Sequence, residues 1–197
     1  SPSLSSSAKK LAIVSWALYD FANTIFSMNV ISLYFALWVT VDHSGQDILY
    51  SVALSFSMFS VAVSVPVLGV ISDSTGKRQR PLIMLTFVCA ISTALIGGTS
   101  NLWIGLILFI IANYCYQSAL VFYNGMLPSI SRGSHVGLVS GYGVALGYLG
   151  SIAGMLMVQP FVEESGRSAT FLPTATLVLV FALPCFLFVK DPEIRTA

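Results

Sequence analysis

Asp20 is the residue with the clearest capacity for chemistry in this 197-residue chain. It lies in a long apolar run that starts at Leu11, roughly 13 Å along a helix rising 1.5 Å per residue. Asn23, Thr24 and Ser27 follow at i+3, i+4 and i+7, so one helical face carries all four polar groups. A carboxylate in the middle of a lipid-embedded helix costs about 2.5–3.5 kcal/mol on insertion scales. It must therefore face a cavity, meet a partner or take up a proton. Two readings stay open. The stripe can line a pathway, with Asp20 answering to protons or to a polar solute. Alternatively, Asp20 sits near the headgroups and caps or pairs with a neighbouring helix.

Asn113 and Gln117 form a second polar pair, at i and i+4 on one face, with Tyr116, Tyr123 and Asn124 close by in sequence. Buried amides in membrane helices either bind helices together or coordinate a polar ligand, and the spacing allows both. Nothing else has catalytic form. There is no Ser/His/Asp set, no HExxH, no phosphate-binding loop and no pair of carboxylates. Cys89, Cys115 and Cys185 stand in different apolar runs without metal-ligand or CxxC spacing, and His43 and His135 are the only histidines. No enzyme activity, cofactor or metal site is expected. The net charge is +1, and no basic stripe interleaves with aromatics, which argues against a nucleic-acid partner.

The elements that position these groups follow from composition. Hydrophobic residues make up 56% of the chain and charged residues 9%, whereas soluble domains carry about 25% charged residues. So few charges cannot cover a water-facing surface, and membrane lipid must be the main solvent. A span needs about 20 mainly apolar residues. Six segments qualify, at about 11–41, 48–72, 81–99, 101–125, 136–161 and 170–190. The expectation is an all-α integral membrane domain over 11–190, with a disordered tail at 1–10 and a cytoplasmic tail at 191–197. Placing both termini inside puts every Lys and Arg except Arg167 in the cytoplasm.

In the fifth span, Gly143 with Gly147 and Gly150 with Gly154 are small-xxx-small pairs, expected to let another helix approach closely. Trp16, Trp38 and Trp103 fall near span ends and read as interfacial anchors. Pro81 should open the third span and Pro128 end the fourth. Between the second and third spans lies the only dense charge cluster, Gly69 to Pro81. Its charges mark the cytoplasmic side, and Gly69 and Gly76 are expected to permit a close turn.

That cluster resembles the loop between the second and third helices of the major facilitator superfamily, whose Gly-x-x-x-Asp-x-x-Gly-x-Arg pattern is matched by Gly69, Asp73, Gly76 and Arg78, with Lys77 beside them. The strings Trp16 to Asn23, Phe122 to Pro128 and Ala145 to Gly150 resemble the branch that includes the autophagy-related vacuolar amino-acid effluxers and their bacterial relatives. The resemblance implies a rocker-switch secondary transporter moving a small polar solute, such as an amino acid. It also implies a cytoplasmic latch at Asp73 and Arg78, less directly at Lys77 and Arg80. The solute cavity would be walled partly by the first and fourth helices, which adds weight to Asp20, Asn23, Asn113 and Gln117. It places the protein in the cytoplasmic membrane of a bacterium or the vacuolar membrane of a fungus. Full transporters of this kind have twelve spans. The six here imply a homodimer of halves, a pairing with a separate half, or a fragment. A scaffold that keeps the fold and binds another membrane protein is the second reading.

Overall fold

The computed structural model describes residues 6–131 and 135–191. Its described residues form six membrane-length helical rods and no strand. We number them α1 (Ser7–Asp42), α2 (Asp47–Thr75), α3 (Gln79–Gly97), α4 (Leu102–Ile130), α5 (His135–Ser165) and α6 (Arg167–Phe188). Local chemistry marks two of their ends. The Asn101 side chain accepts from the backbone N–H groups of Trp103 and Ile104, which starts α4. Gly76, at φ 61°, ends α2 in the left-handed conformation that glycine adopts without strain. The first rod is helical from Ser6, so the expected disorder over 1–10 does not hold for residues 6–10. A polar turn can stay helical as it leaves the membrane when the helix behind it is already nucleated. Pro128 does not end α4, which runs on to Ile130.

The helices pack in two groups. α1 lies against α5 and α6, while α4 lies against α2 and α3, and α3 joins the groups by packing on α6. Exchanging α1 with α4, α2 with α5 and α3 with α6 leaves this pattern unchanged, as in a nested inverted repeat. Two apolar cores fill the bundle at different heights. Trp16, Tyr19, Leu82, Tyr123, Phe186 and Val189 occupy the end near the charged hinge, and Val30, Phe35, Trp38, Ile96, Phe109 and Phe171 fill the other. Only 11% of the apolar stretch of α2 is buried, against 44% for α1 and α4. The apolar outer face of α2, with Phe56, Phe59, Val63 and Val67, therefore has no partner within the described residues.

The tryptophans depart from expectation. Trp103 is exposed, but Trp16 and Trp38 are buried core residues rather than interfacial anchors. Trp38 fits because Gly105 of α4 leaves the space its ring occupies, and its indole N–H donates to Ser168 Oγ at 3.0 Å.

Candidate polar site and cytoplasmic clasp

α1 carries its polar stripe along the groove between α4 and α5. Asp20 and Thr24 press against the glycine-lined side of α5. A Cβ at Gly147 would lie 3.0 Å from Asp20 Oδ2, and one at Gly150 would lie 2.6 Å from the Phe21 carbonyl. Gly143 faces the Trp16 ring and Gly154 the Ile25 side chain, so all four glycines sit in the α1–α5 seam. The Thr24 hydroxyl is spent on its own helix, donating to the Asp20 and Phe21 carbonyls. Asp20 is half-buried, and no cation pairs with it among the described residues.

The other three sequence candidates separate into two kinds. Gln117 is half-buried, as Asp20 is. Asn23 and Asn113 are buried inside the bundle, 5% and 0% exposed, and so do not line an open face. Asn113 Nδ2 donates to Ser57 Oγ of α2 at 2.7 Å, tying α4 to α2. Its Oδ1 and the Asn23 Nδ2 have no hydrogen-bond partner among the described residues. The exchange of α1 with α4 places these two amides in equivalent positions, since Tyr19 and Phe109, Asn23 and Asn113, and Phe26 and Tyr116 recur at one constant offset.

Sequence reading passed over Asn29. Its Nδ2 donates to the Gly154 carbonyl at 3.1 Å and to Thr174 Oγ1 at 3.3 Å, so one side chain of α1 grips both α5 and α6. The same pattern could have signalled it, since a lone amide in an apolar run needs a partner on a neighbouring helix.

The charged hinge is shorter than its motif. α2 continues through Asp73 to Thr75, leaving Gly76, Lys77 and Arg78 as the turn before α3. Gly69 lies in the helix with open space around it and makes no turn, a correction to the expected pair of turning glycines. Arg78 is the organising side chain. Its Nη2 pairs with Asp73 Oδ1 at 3.1 Å, its Nε donates to Ser72 Oγ at 3.0 Å, and its stem lies over Gly125 of α4. Lys77 is exposed.

A further carboxylate completes this end. Asp191 Oδ1 accepts from the backbone N–H groups of Arg78 and Gln79, at 2.8 and 2.9 Å, and so caps α3 from the end of α6. An anion at a helix N-terminus meets unpaired N–H groups and the positive end of the dipole. Gln79 Nε2 also donates to the Phe186 carbonyl. The expected cytoplasmic tail, 191–197, begins with this structural contact at Asp191, and residues 192–197 lie outside the described residues. At the opposite end, Arg167 pairs with Asp42, closing α6 onto α1.

Comparison with known proteins agrees with this architecture. The Major Facilitator Superfamily profile matches residues 17–197. An uncharacterized protein of Aquifex aeolicus is 28% identical over 191 residues, covering 94% of this chain and 47% of its own. An uncharacterized MFS-type transporter of Bacillus subtilis, YxiO, is 30% identical over 190 residues, covering 86% and 44%. This chain thus spans about half the length of the curated relatives it matches. No solved structure matches. Six apolar rods in a doubly repeated packing, a hinge built on Gly76, Asp73 and Arg78, and a profile match across nearly all of the chain show that it is an integral multi-pass membrane protein belonging to the Major Facilitator Superfamily.

Proposed function

We propose that the chain is one six-helix half of a secondary transporter that moves a small polar solute, an amino acid being the class its resemblance favours, by alternating access. The observation that carries this reading is Asp20. A half-buried carboxylate within a membrane-length helix, with no cation beside it among the described residues, is costly to keep. That cost has a return if the group meets protons or a polar solute. Gln117 would complete the accessible polar face, and Asn23 and Asn113 would hold the helices behind it.

Orientation follows the positive-inside rule. Lys9, Lys10, Lys77, Arg78, Arg80 and Lys190 gather at the hinge end, while Arg167 stands at the other. The hinge end would be cytoplasmic, with both chain termini on that side. Asp73 and Arg78 would serve there as a latch on one state. The relatives' greater length and the unpartnered apolar face of α2 support pairing with a second six-helix half. That half can be a second copy, a separate chain or the remainder of a longer one.

The test is uptake into proteoliposomes. Radiolabelled amino acids should accumulate under an imposed pH gradient with the parent protein, and Asp20→Asn should abolish that accumulation. Accumulation unchanged in Asp20→Asn would remove the coupling role and leave Asp20 as a packing residue.

A further inference from the structure

The first helix is not α-helical throughout. Ser27–Tyr34 and Trp38–Asp42 are wound as π-helix, with the short α-turn Phe35–Leu37 between them. The i→i+5 bonds are explicit at both ends: the Phe35 N–H donates to the Val30 carbonyl and the His43 N–H to the Trp38 carbonyl. Such windings are rare and usually last a single turn.

An aromatic ladder explains what this winding accomplishes. Three ring pairs join α1 to α4: Tyr19 with Tyr123 at 4.9 Å, Phe26 with Tyr116 at 4.8 Å, and Phe35 with Phe109 at 4.2 Å. On α4 the rungs are a heptad apart, about two turns at 3.6 residues per turn. On α1 the first step is also a heptad, but the second is nine residues. In an α-helix nine residues make about two and a half turns, which would point Phe35 away from α4. With i→i+5 bonding and roughly 4.4 residues per turn, nine residues make about two turns. The π-winding therefore brings Phe35 back onto Phe109.

Hydrogen bonds reach the winding from two sides: Asn29 donates to the Gly154 carbonyl and Thr174 Oγ1, and the Tyr50 hydroxyl of α2 donates to the Ile31 carbonyl at 2.6 Å. The Asn29 bonds are incomplete, because its Oδ1 is buried without a hydrogen-bond partner among the described residues. An unsaturated buried acceptor narrows the energy gap to any winding in which that oxygen gains a partner or water. Rewinding the eight residues of Ser27–Tyr34 as α-helix would turn everything beyond them by about 0.4 of a turn. Contacts beyond them would break together, among them the Phe35–Phe109 stack, the seat of Trp38 over Gly105, the Trp38–Ser168 hydrogen bond and the Asp42–Arg167 ion pair.

We propose that Ser27–Tyr34 interconverts between π- and α-winding, and that Phe35–Asp42 turns with it as a unit, opening the end of the bundle opposite the hinge. The movement would be a device of this half alone, separate from any rocking of two halves. It concerns winding and stands whether or not the chain transports.

Spin labels at Val41→Cys and Trp103→Cys, both exposed positions at that end, report the turn as a distance in nanodiscs. Asn29→Ala removes the grip and should add or enlarge a second distance population, displaced by several ångströms. Deleting Met28 and Ile31 leaves Phe35 a heptad from Phe26, so an all-α helix would keep the ladder in register and give one population. Adding Asn29→Ala to that deletion should then change nothing. A distribution for Asn29→Ala that superimposes on its parent would overturn the proposal. So would an equal broadening with the deletion present, which would mean loosening rather than rewinding.

Discussion

Trp16 and Tyr123 hold each other twice. The Trp16 indole N–H donates to the Tyr123 carbonyl at 3.2 Å, and the Tyr123 hydroxyl donates to the Trp16 carbonyl at 3.1 Å. Their rings stack at 4.5 Å and 7°, and Tyr19 stacks on the same tyrosine from its other neighbour position. This reciprocal pair fixes the crossing of α1 and α4 one turn from Asp20, so it sets where the carboxylate stands.

The pair makes unequal demands on its two members. Tyr123→Phe keeps the stack and loses one hydrogen bond, at a cost of about 0.5–1.5 kcal/mol. Trp16→Ala loses the stack, a hydrogen bond and a filled core position, and should cost about 3–5 kcal/mol. Thermal unfolding of purified protein in mild detergent measures both. Equal losses would contradict the reciprocal arrangement.

The glycines of α5 divide by what faces them. A Cβ at Gly150 would meet the Phe21 backbone, whereas Gly137 and Gly141 face open space. Gly150→Ala should destabilise by about 1–3 kcal/mol through overpacking. Gly141→Ala should be neutral or stabilising by up to about 1 kcal/mol, because alanine is the better helix former. The same unfolding assay separates them, and a matching loss at Gly141 would count against the seam.

At the hinge, burial predicts which acid carries stability. The Asp73 side chain is 80% exposed, so its pair with Arg78 should contribute about 0–1 kcal/mol. Asp191→Ala removes two backbone acceptor contacts at the start of α3 and should cost about 0.5–2 kcal/mol. Asp73→Asn should instead act on the balance of states in the assembled transporter, visible as altered protease or label accessibility with little change in unfolding midpoint. An unfolding loss for Asp73→Asn as large as for Asp191→Ala would reverse this ranking.

The sequence made the rods and the hinge legible because apolar length and charge clustering are local properties. Asn101 and Gly76 likewise act on their own helix ends. Asp191 was not legible, since its partners are the backbone N–H groups of Arg78 and Gln79, far away in the chain. Trp16 and Trp38 misled for a related reason. Tryptophan near a span end is ordinarily interfacial, and only packing shows that Gly105 makes room for one and Tyr123 captures the other. The i, i+3, i+4, i+7 spacing of Asp20, Asn23, Thr24 and Ser27 groups them on α1, but helical periodicity cannot say that Asp20 and Thr24 meet the glycines of α5 while Asn23 is buried. The π-winding had a trace in the nine-residue step from Phe26 to Phe35, meaningful only beside the heptads of α4.

The most direct test of the central claim is aqueous access to the polar face. Gln117→Cys is to be labelled in sealed proteoliposomes by a membrane-impermeant maleimide applied from either side, with the parent protein, whose three cysteines are buried, as baseline. A transporter half in its working assembly should label from both sides, each in part, with the fractions shifting in Asp73→Asn. If Gln117→Cys stays unreactive until the membrane is dissolved, the face is a protein interface, and the transport reading is contradicted.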